Sequence, residues 1–383
     1  MTNSITDLIP IMYKGLDIVA REMVGFIPAV AKDASAEMVP MGTFINVPVV
    51  PANTTGNITP AAAPSEAGSQ TIPYVQMAIT KAKKSMIGWN GEQMKAYKAN
   101  GTYEKTLANQ FAQAIRALVN EVEADLSALS INASRAYGTA NTDPFATAAD
   151  MTDFSNIRKI LEDNGAPMSD LHLVLGSGPI AQLRGKMSNL FKANEAGSDE
   201  VLKTGRLFDI NGMAIHQSAN INSPTIGNIV ASVNNAGYAV GATDLTCTYT
   251  SGASVIGDVI TIAGDTNKYV VQNVLAGAGV LKIAAPGLRQ SIPTSAQVIT
   301  TIGKSAQNLA FHSSALQLLA RQPAMPDGGD LADDVFALTD PVSGITFQVA
   351  KYKQYRQIAY EVGLAWGVKL IKPDFTAILL GKY

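Results

Sequence analysis

TYEKTLANQFAQAIRALVNEVEADLSALSINASRAY, from Thr102 to Tyr137, contains neither glycine nor proline. Leu107, Phe111, Ile115, Leu118, Val122, Leu126 and Leu129 recur every three or four residues, which gathers them within about 100° of arc on a helical wheel. Asn109, Gln113, Arg116, Asn120, Glu123 and Ser127 fall on the opposite side. The spacing predicts one amphipathic helix of about 50 Å. That is longer than a small globule needs and suits a strut, with Leu107, Phe111, Ile115, Leu118 and Val122 as its core line. An ordinary core helix is the plainer alternative.

On the N-terminal side, Leu8, Met12, Leu16, Val19 and Met23 predict a helix over Ser4 to Val30, with Pro10 near its start and Pro28 as its stop. Val39, Phe44, Ile45, Val47, Val49 and Val50 then read as one β run, and Ile72, Tyr74, Val75, Met77 and Ile79 as another. Between them lies PANTTGNITPAAAPSEAGSQ, Pro51 to Gln70, whose only charge is Glu66. A loop of that length without structure of its own is uncommon inside a compact domain. Flanked by strands, it reads as the far end of a hairpin reaching away from the body.

On the C-terminal side, Met151 to Asn164 reads as a helix closed by Gly165, and Leu171 to Leu175 as a buried strand followed by a helix from Pro179. Pro224 to Gly303 has no Glu, only six charged residues, and many Val, Ile, Thr and Gly; it reads as a separate all-β module. Ala306 to Arg321 reads as helix again, and Ile345 onward mainly as strands.

The 383 residues allow two to three domains. Only 16% of them are charged, well below the roughly 25% usual for soluble domains. Much of the surface is therefore neutral, which suits a protein that covers itself with its own copies. A formal charge of -2 without a polybasic run disfavours a dedicated nucleic-acid binder or a polybasic membrane anchor. A single cysteine, Cys247, cannot form a disulfide within the chain and points to a reducing cytosol. The opening MTNSITDLIPIMYKG lacks the basic leader of a secretory signal, and no stretch has the composition of a membrane span.

Motifs with chemical meaning are sparse. Gly176, Gly178 and Ala181 match a dinucleotide fingerprint on paper, but Pro179 removes a phosphate-cradling N–H and no second strand with its acid follows, so a tight strand-to-helix turn is the favoured reading. His172, His216 and His312 are scattered, with no second cysteine to build a zinc site. Asp327, Asp330, Asp333 and Asp334 lack the spacing of a calcium loop. Cys247 has no nearby histidine to activate it. Lys81, Lys83 and Lys84 read as a solvated strand end, with phosphate or a neighbour's acids as the sharper alternative. No catalytic, cofactor or metal site is assigned, and no enzymatic activity is expected.

The order of elements resembles the major capsid (coat) protein of tailed double-stranded DNA bacteriophages, in particular the short-tailed-phage branch with an inserted β-barrel domain. The resemblance spans essentially the whole chain. It is carried by GRLFDINGMAIHQSANI (Gly205 to Ile221), GDVITIAG (Gly257 to Gly264), AQNLAFHSSALQLLARQP (Ala306 to Pro323) and YEVGLAWGVKLIKPDFTAILLG (Tyr360 to Gly381). It implies an α+β capsid fold: an N-arm at 1–37, an E-loop hairpin at 38–85, a P-domain with the spine helix at 86–150, and an A-domain at 151–222. An inserted I-domain would follow at 223–303, the second part of the A-domain at 304–344, and closing P-domain strands at 345–383. The implied function is self-assembly of hexamers and pentamers into an icosahedral shell around the genome, without sequence-specific DNA binding and without a cofactor. Implied partners are copies of the chain, a scaffolding protein, a portal protein and a decoration protein. The implied location is the virion, with assembly in the bacterial host cytoplasm. Asn53, Thr54, Gly56, Asn57, Pro60, Glu66 and Gly68 would make the intersubunit contacts of the E-loop. A phage tail or surface-layer subunit is the alternative within self-assembling proteins, and an α/β enzyme using Gly176 to Ala181 is the alternative outside them.

Overall fold

The computed structural model of the chain describes residues 24–50, 72–148, 150–186, 209–234 and 236–383. Its helices are α1 (Phe26–Ala29), α2 (Gly91–Ala99), α3 (Tyr103–Ala128), α4 (Thr152–Asp163) and α5 (Ser177–Lys186). The 26 residues of α3 make it about 39 Å long, shorter than the sequence predicts. Leu129–Asn132 tightens into a 3-10 turn, and Arg135–Tyr137 leaves the helix axis to become strand β5. No glycine or proline forces this end. Ser130, Asn132 and Ser134 crowd together where side-chain oxygens compete with helical hydrogen bonds. Ser134 donates to the Thr376 carbonyl, and β5 finds strand partners on both sides.

The first sheet contains β1 (Ala31–Val39), β4 (Lys81–Asn90), β16 (Leu316–Pro323), β17 (Ala332–Thr339), β18 (Thr346–Gln354) and β19 (Gln357–Leu370). The 14-residue β19 is its axis: β4 runs antiparallel along one side, and β18 and then β16 run antiparallel along the other. Leu107, Phe111, Ile115, Leu118 and Val122 of α3 are buried in the core shared with this sheet. Phe111 meets Tyr360 edge-on at 5.3 Å. Two indole nitrogens fix the helix polar-side: Trp89 Nε1 donates to Gln110 at 2.8 Å and Trp366 Nε1 to Asp125 at 2.9 Å. Each large side chain fully buried here contributes about 1.5–3 kcal/mol of transfer free energy.

The second sheet has twelve strands. Besides β5 it contains β6 (Leu171–Leu175), β7 (Asp209–Ile210), β8 (Met213–Gln217), β15 (Ala306–His312) and β20 (Thr376–Gly381). The charge-poor module supplies β9 (Val230–Val233), β10 (Asp244–Ser251), β11 (Val259–Ile262), β12 (Lys268–Val270), β13 (Gly279–Lys282) and β14 (Gln297–Thr301). The module has a core of its own, including Val233, Leu245, Ile260, Tyr269 and Ile299. Its sheet is nevertheless continuous with the rest, because β12 pairs with β5 through Lys268 to Ala136 and Tyr269 to Arg135. Arg135, buried at this seam, donates to Asn267, the Ile160 carbonyl and Asn164.

Several expectations are corrected. Of the helix predicted over Ser4 to Val30, residues 1–23 lie outside the described residues, and the rest supplies only the single turn α1, which contains Pro28. β1 was not foreseen, and the run from Val39 to Val50 is split by a turn at Gly42, whose φ is +92°. Ala306 to Arg321, read as helix, is two strands joined by the 3-10 turn Ser313–Ala315. Both strands are buried on both faces, so the alternation that marks a half-exposed strand is absent from their sequence. Within the stretches 304–344 and 345–383, β16 and β17 share a sheet with β18 and β19, whereas β20 crosses to pair with β15 and β5.

Candidate assembly surface

β2 (Phe44–Pro48) and β3 (Tyr74–Ala78) form a two-stranded ribbon in register from Phe44–Ala78 to Pro48–Tyr74. A lone ribbon is marginal in water unless one face is packed. Period-two alternation supplies that face: Ile45, Val47 and Met77 turn inward against Leu319, Ala365 and Ile79. At its root, Thr80 N–H donates to the Trp366 carbonyl at 3.1 Å and Lys369 Nζ to the Gln76 carbonyl at 2.7 Å. The approach is close enough to require Gly367, since a Cβ there would stand 1.9 Å from the Ala78 carbonyl oxygen.

The other face of the ribbon is left bare. Phe44 is 63% and Tyr74 58% exposed, and Met41, Val50 and Ile72, just outside the two strands, are exposed as well. Pro48, Asn46 and Gln76 complete an outward surface without a charge. Asn53, Thr54, Gly56, Asn57, Pro60, Glu66 and Gly68 lie outside the described residues.

Residues read as the solvent side of α3 have other duties. Glu123 is fully buried, with Oε1 accepting from Gly25 N–H at 2.6 Å and Phe26 N–H at 2.8 Å, and Oε2 from Ile27 N–H at 3.1 Å. Ser127 accepts from Asn222 N–H at 2.8 Å, and Asn120 accepts from Asn220. This face therefore clasps two segments of backbone. The available sequence signal was α1 itself: its N-cap is Gly25, which has no side chain to satisfy the first N–H groups.

The remaining motifs resolve into structural contacts. Gly176 to Ala181 does open a helix, but a Cβ on Gly178 would stand 2.8 Å from Asp143 Oδ1, so a carboxylate occupies the space beside the turn. Lys81 pairs with Asp125 at 2.8 Å, Lys83 with Glu121 and Lys84 with Glu361, so all three are engaged within the chain. Of the acidic cluster, Asp330 accepts from the Tyr352 hydroxyl at 2.7 Å, which holds its carboxyl below the usual range, and Asp333 pairs with Lys351 and Lys353. Cys247 is buried, and burial raises its thiol pKa. The histidines, expected to be scattered, are not all so: His172 and His216 stand together on neighbouring strands. No helix among the described residues is long and apolar enough to cross a membrane.

No protein-family model and no curated protein matches the chain. Among solved structures it is similar to the capsid of the cyanophage P-SCSP1u, with a TM-score of 0.49, 11% identity, and coverage of 95% of this chain and 89% of that one. A structure from Mycobacterium phage Che8 gives 0.45 and 14%, covering 88% and 84%. A virus-like particle from Pyrococcus furiosus gives 0.43 and 11%, covering 98% of each chain. At these values the likenesses carry no conclusion by themselves.

Proposed function

We propose that the chain is a shell-forming major capsid protein of the tailed-phage kind, an assembly protein and not an enzyme. The observation that supports this reading is the ribbon of β2 and β3, packed on one face and, on the other, bare and uncharged with Phe44 and Tyr74 exposed on either side of the Asn46–Gln76 pair. Large aromatic side chains left exposed on an uncharged face suit a surface that a partner covers. A surface with few charges extends the same property to the rest of the molecule. On this reading the ribbon is the stem of the E-loop, α3 is the spine helix, and the β9–β14 module is the inserted domain. Asn53 to Gly68 then meet a neighbouring copy. One sequence must fill several similar environments in a closed shell, and many modest contacts per subunit hold the lattice by multiplicity. Near-neutral walls let packaged DNA slide, because phosphate contacts to a basic lining bind strongly. Hexamers and pentamers, a scaffolding protein, a portal and a decoration protein are the partners this reading implies, in a virion assembled in the host cytoplasm.

Electron microscopy of the chain expressed in bacteria, alone and with a candidate scaffolding protein, tests the proposal. Closed, uniform particles are expected. Fibres, tubes or flat sheets would transfer the chain to the tail or surface-layer class, and monomers that persist with the scaffold would overturn shell formation.

A further inference from the structure

An unassigned cluster lies where β6, β7 and β8 meet. Parallel pairing sets His172 beside Ala214 and Val174 beside His216, and antiparallel pairing sets Asp209 opposite Ala214. His172, His216 and Asp209 therefore belong to one face of the sheet, around the small Ala214 side chain. His172 Nδ1 is 3.1 Å from His216 Nε2, and the other nitrogen of His172 is 3.0 Å from Asp170 Oδ1. Ser313 Oγ donates to the second oxygen of Asp170, and Phe311 lies against the His172 ring at 5.9 Å between centroids.

This arrangement has two properties of a metal chelate. Asp170 receives the Nε2–H of His172, which fixes the ring's tautomer and turns the Nδ1 lone pair toward His216; a metal-ligating histidine is oriented by a carboxylate in this way. The spacing between the two facing nitrogens is also close to the roughly 3.3 Å that two imidazoles keep on one tetrahedral ion with bonds of 2.0–2.1 Å. Both rings stand on strands inside a sheet, so little ordering remains to be done when an ion arrives.

We propose that His172 and His216 chelate a borderline divalent cation, Zn²⁺ or Ni²⁺, across β6 and β8. Water fills the remaining positions, since no third His, Cys, Asp or Glu converges there among the described residues. Asp209 contributes its charge from the same face. Binding through His216 Nε2 requires the proton on that nitrogen to move to Nδ1 through solvent, so the ring stays neutral. The ion staples the two strands, and the inference does not depend on the shell reading.

The full chain, freed of metal with a chelator, is titrated with Zn²⁺ and Ni²⁺ by calorimetry, and with Cu²⁺ as a paramagnetic probe. One saturable site is expected, weakened at least tenfold by His172→Asn or His216→Asn, and about 10–100-fold by Asp170→Asn, which touches the ion only through His172. In the unaltered chain, one equivalent of Cu²⁺ should show hyperfine coupling to two imidazole nitrogens, a readout that needs no variant to fold. Binding that persists unchanged in both histidine variants, a Cu²⁺ signal without nitrogen coupling, or no binding at all would overturn the site and leave a hydrogen-bonded histidine pair.

Discussion

Glu123 shows how far one residue can depart from its pattern. It sits where a helical wheel puts solvent, yet its carboxylate is the acceptor for three backbone N–H groups of residues 25–27. Removing it would leave buried donors unsatisfied, each costing about 1–3 kcal/mol. Glu123→Ala should therefore lower stability by about 3 kcal/mol or more in urea unfolding, and Glu123→Gln, which keeps an acceptor, by clearly less. Equal stability of Glu123→Ala and the unaltered chain would refute the clasp. Asp374 is the opposite case, a half-buried residue whose Oδ1 is shut off from water and has no hydrogen-bond partner. Burial raises its pKa in the folded state. A raised folded pKa means stability that is complete below the unfolded pKa and is lost as pH climbs through the folded one. Asp374→Asn should thus melt higher than the unaltered chain at pH 7, with the gain shrinking toward pH 4. A gain that is constant with pH would rule out ionisation as its source.

At the scale of elements, legibility followed exposure. α3 could be read because one face is core and the other polar, so its period survives in the sequence. β15 and β16 could not, because most of their side chains are buried whichever face they point to, and buried strands lose their alternation. The His172–His216 pair was equally hidden: 44 residues separate the two along the chain, and only the parallel pairing of β6 with β8 brings them together. The ribbon of β2 and β3 was legible as two strands around a long loop, but its anchor was not. That anchor is the contact of Gly367 with the Ala78 carbonyl, and sequence gives a lone glycine in a strand no such meaning. Gly367→Ala should push the ribbon root off β19 without unfolding the sheet, because β19 keeps its partners on both sides. Limited proteolysis should then cut between residues 40 and 80 faster than in the unaltered chain, while circular dichroism stays the same. An unchanged cleavage rate would show that the root can shift to accept the methyl group.

At the scale of the molecule, the question is why a chain should carry a ribbon with a bare, uncharged face and, between its strands, twenty residues whose only charge is Glu66. The outward side chains Phe44 and Tyr74 lie outside the packed core of the monomer. Val49 N–H donates to the Pro73 carbonyl at 2.9 Å, so the two strands already meet before the loop begins. A short turn can close the gap, and loop-closure entropy changes slowly with length. Deleting Ala52 to Gln70 should therefore leave a monomer with the spectrum and melting temperature of the intact chain. Replacing Phe44 and Tyr74 by Asp should do the same, since both side chains are already in water. If the ribbon exists for contact between copies, neither variant will close shells under conditions where the intact chain does, because each subunit loses one contact at every repeat of the lattice. Microscopy and sedimentation decide it. Normal particles from both variants would mean that the ribbon is not an assembly surface, and the shell, if there is one, is held by the sheet faces instead.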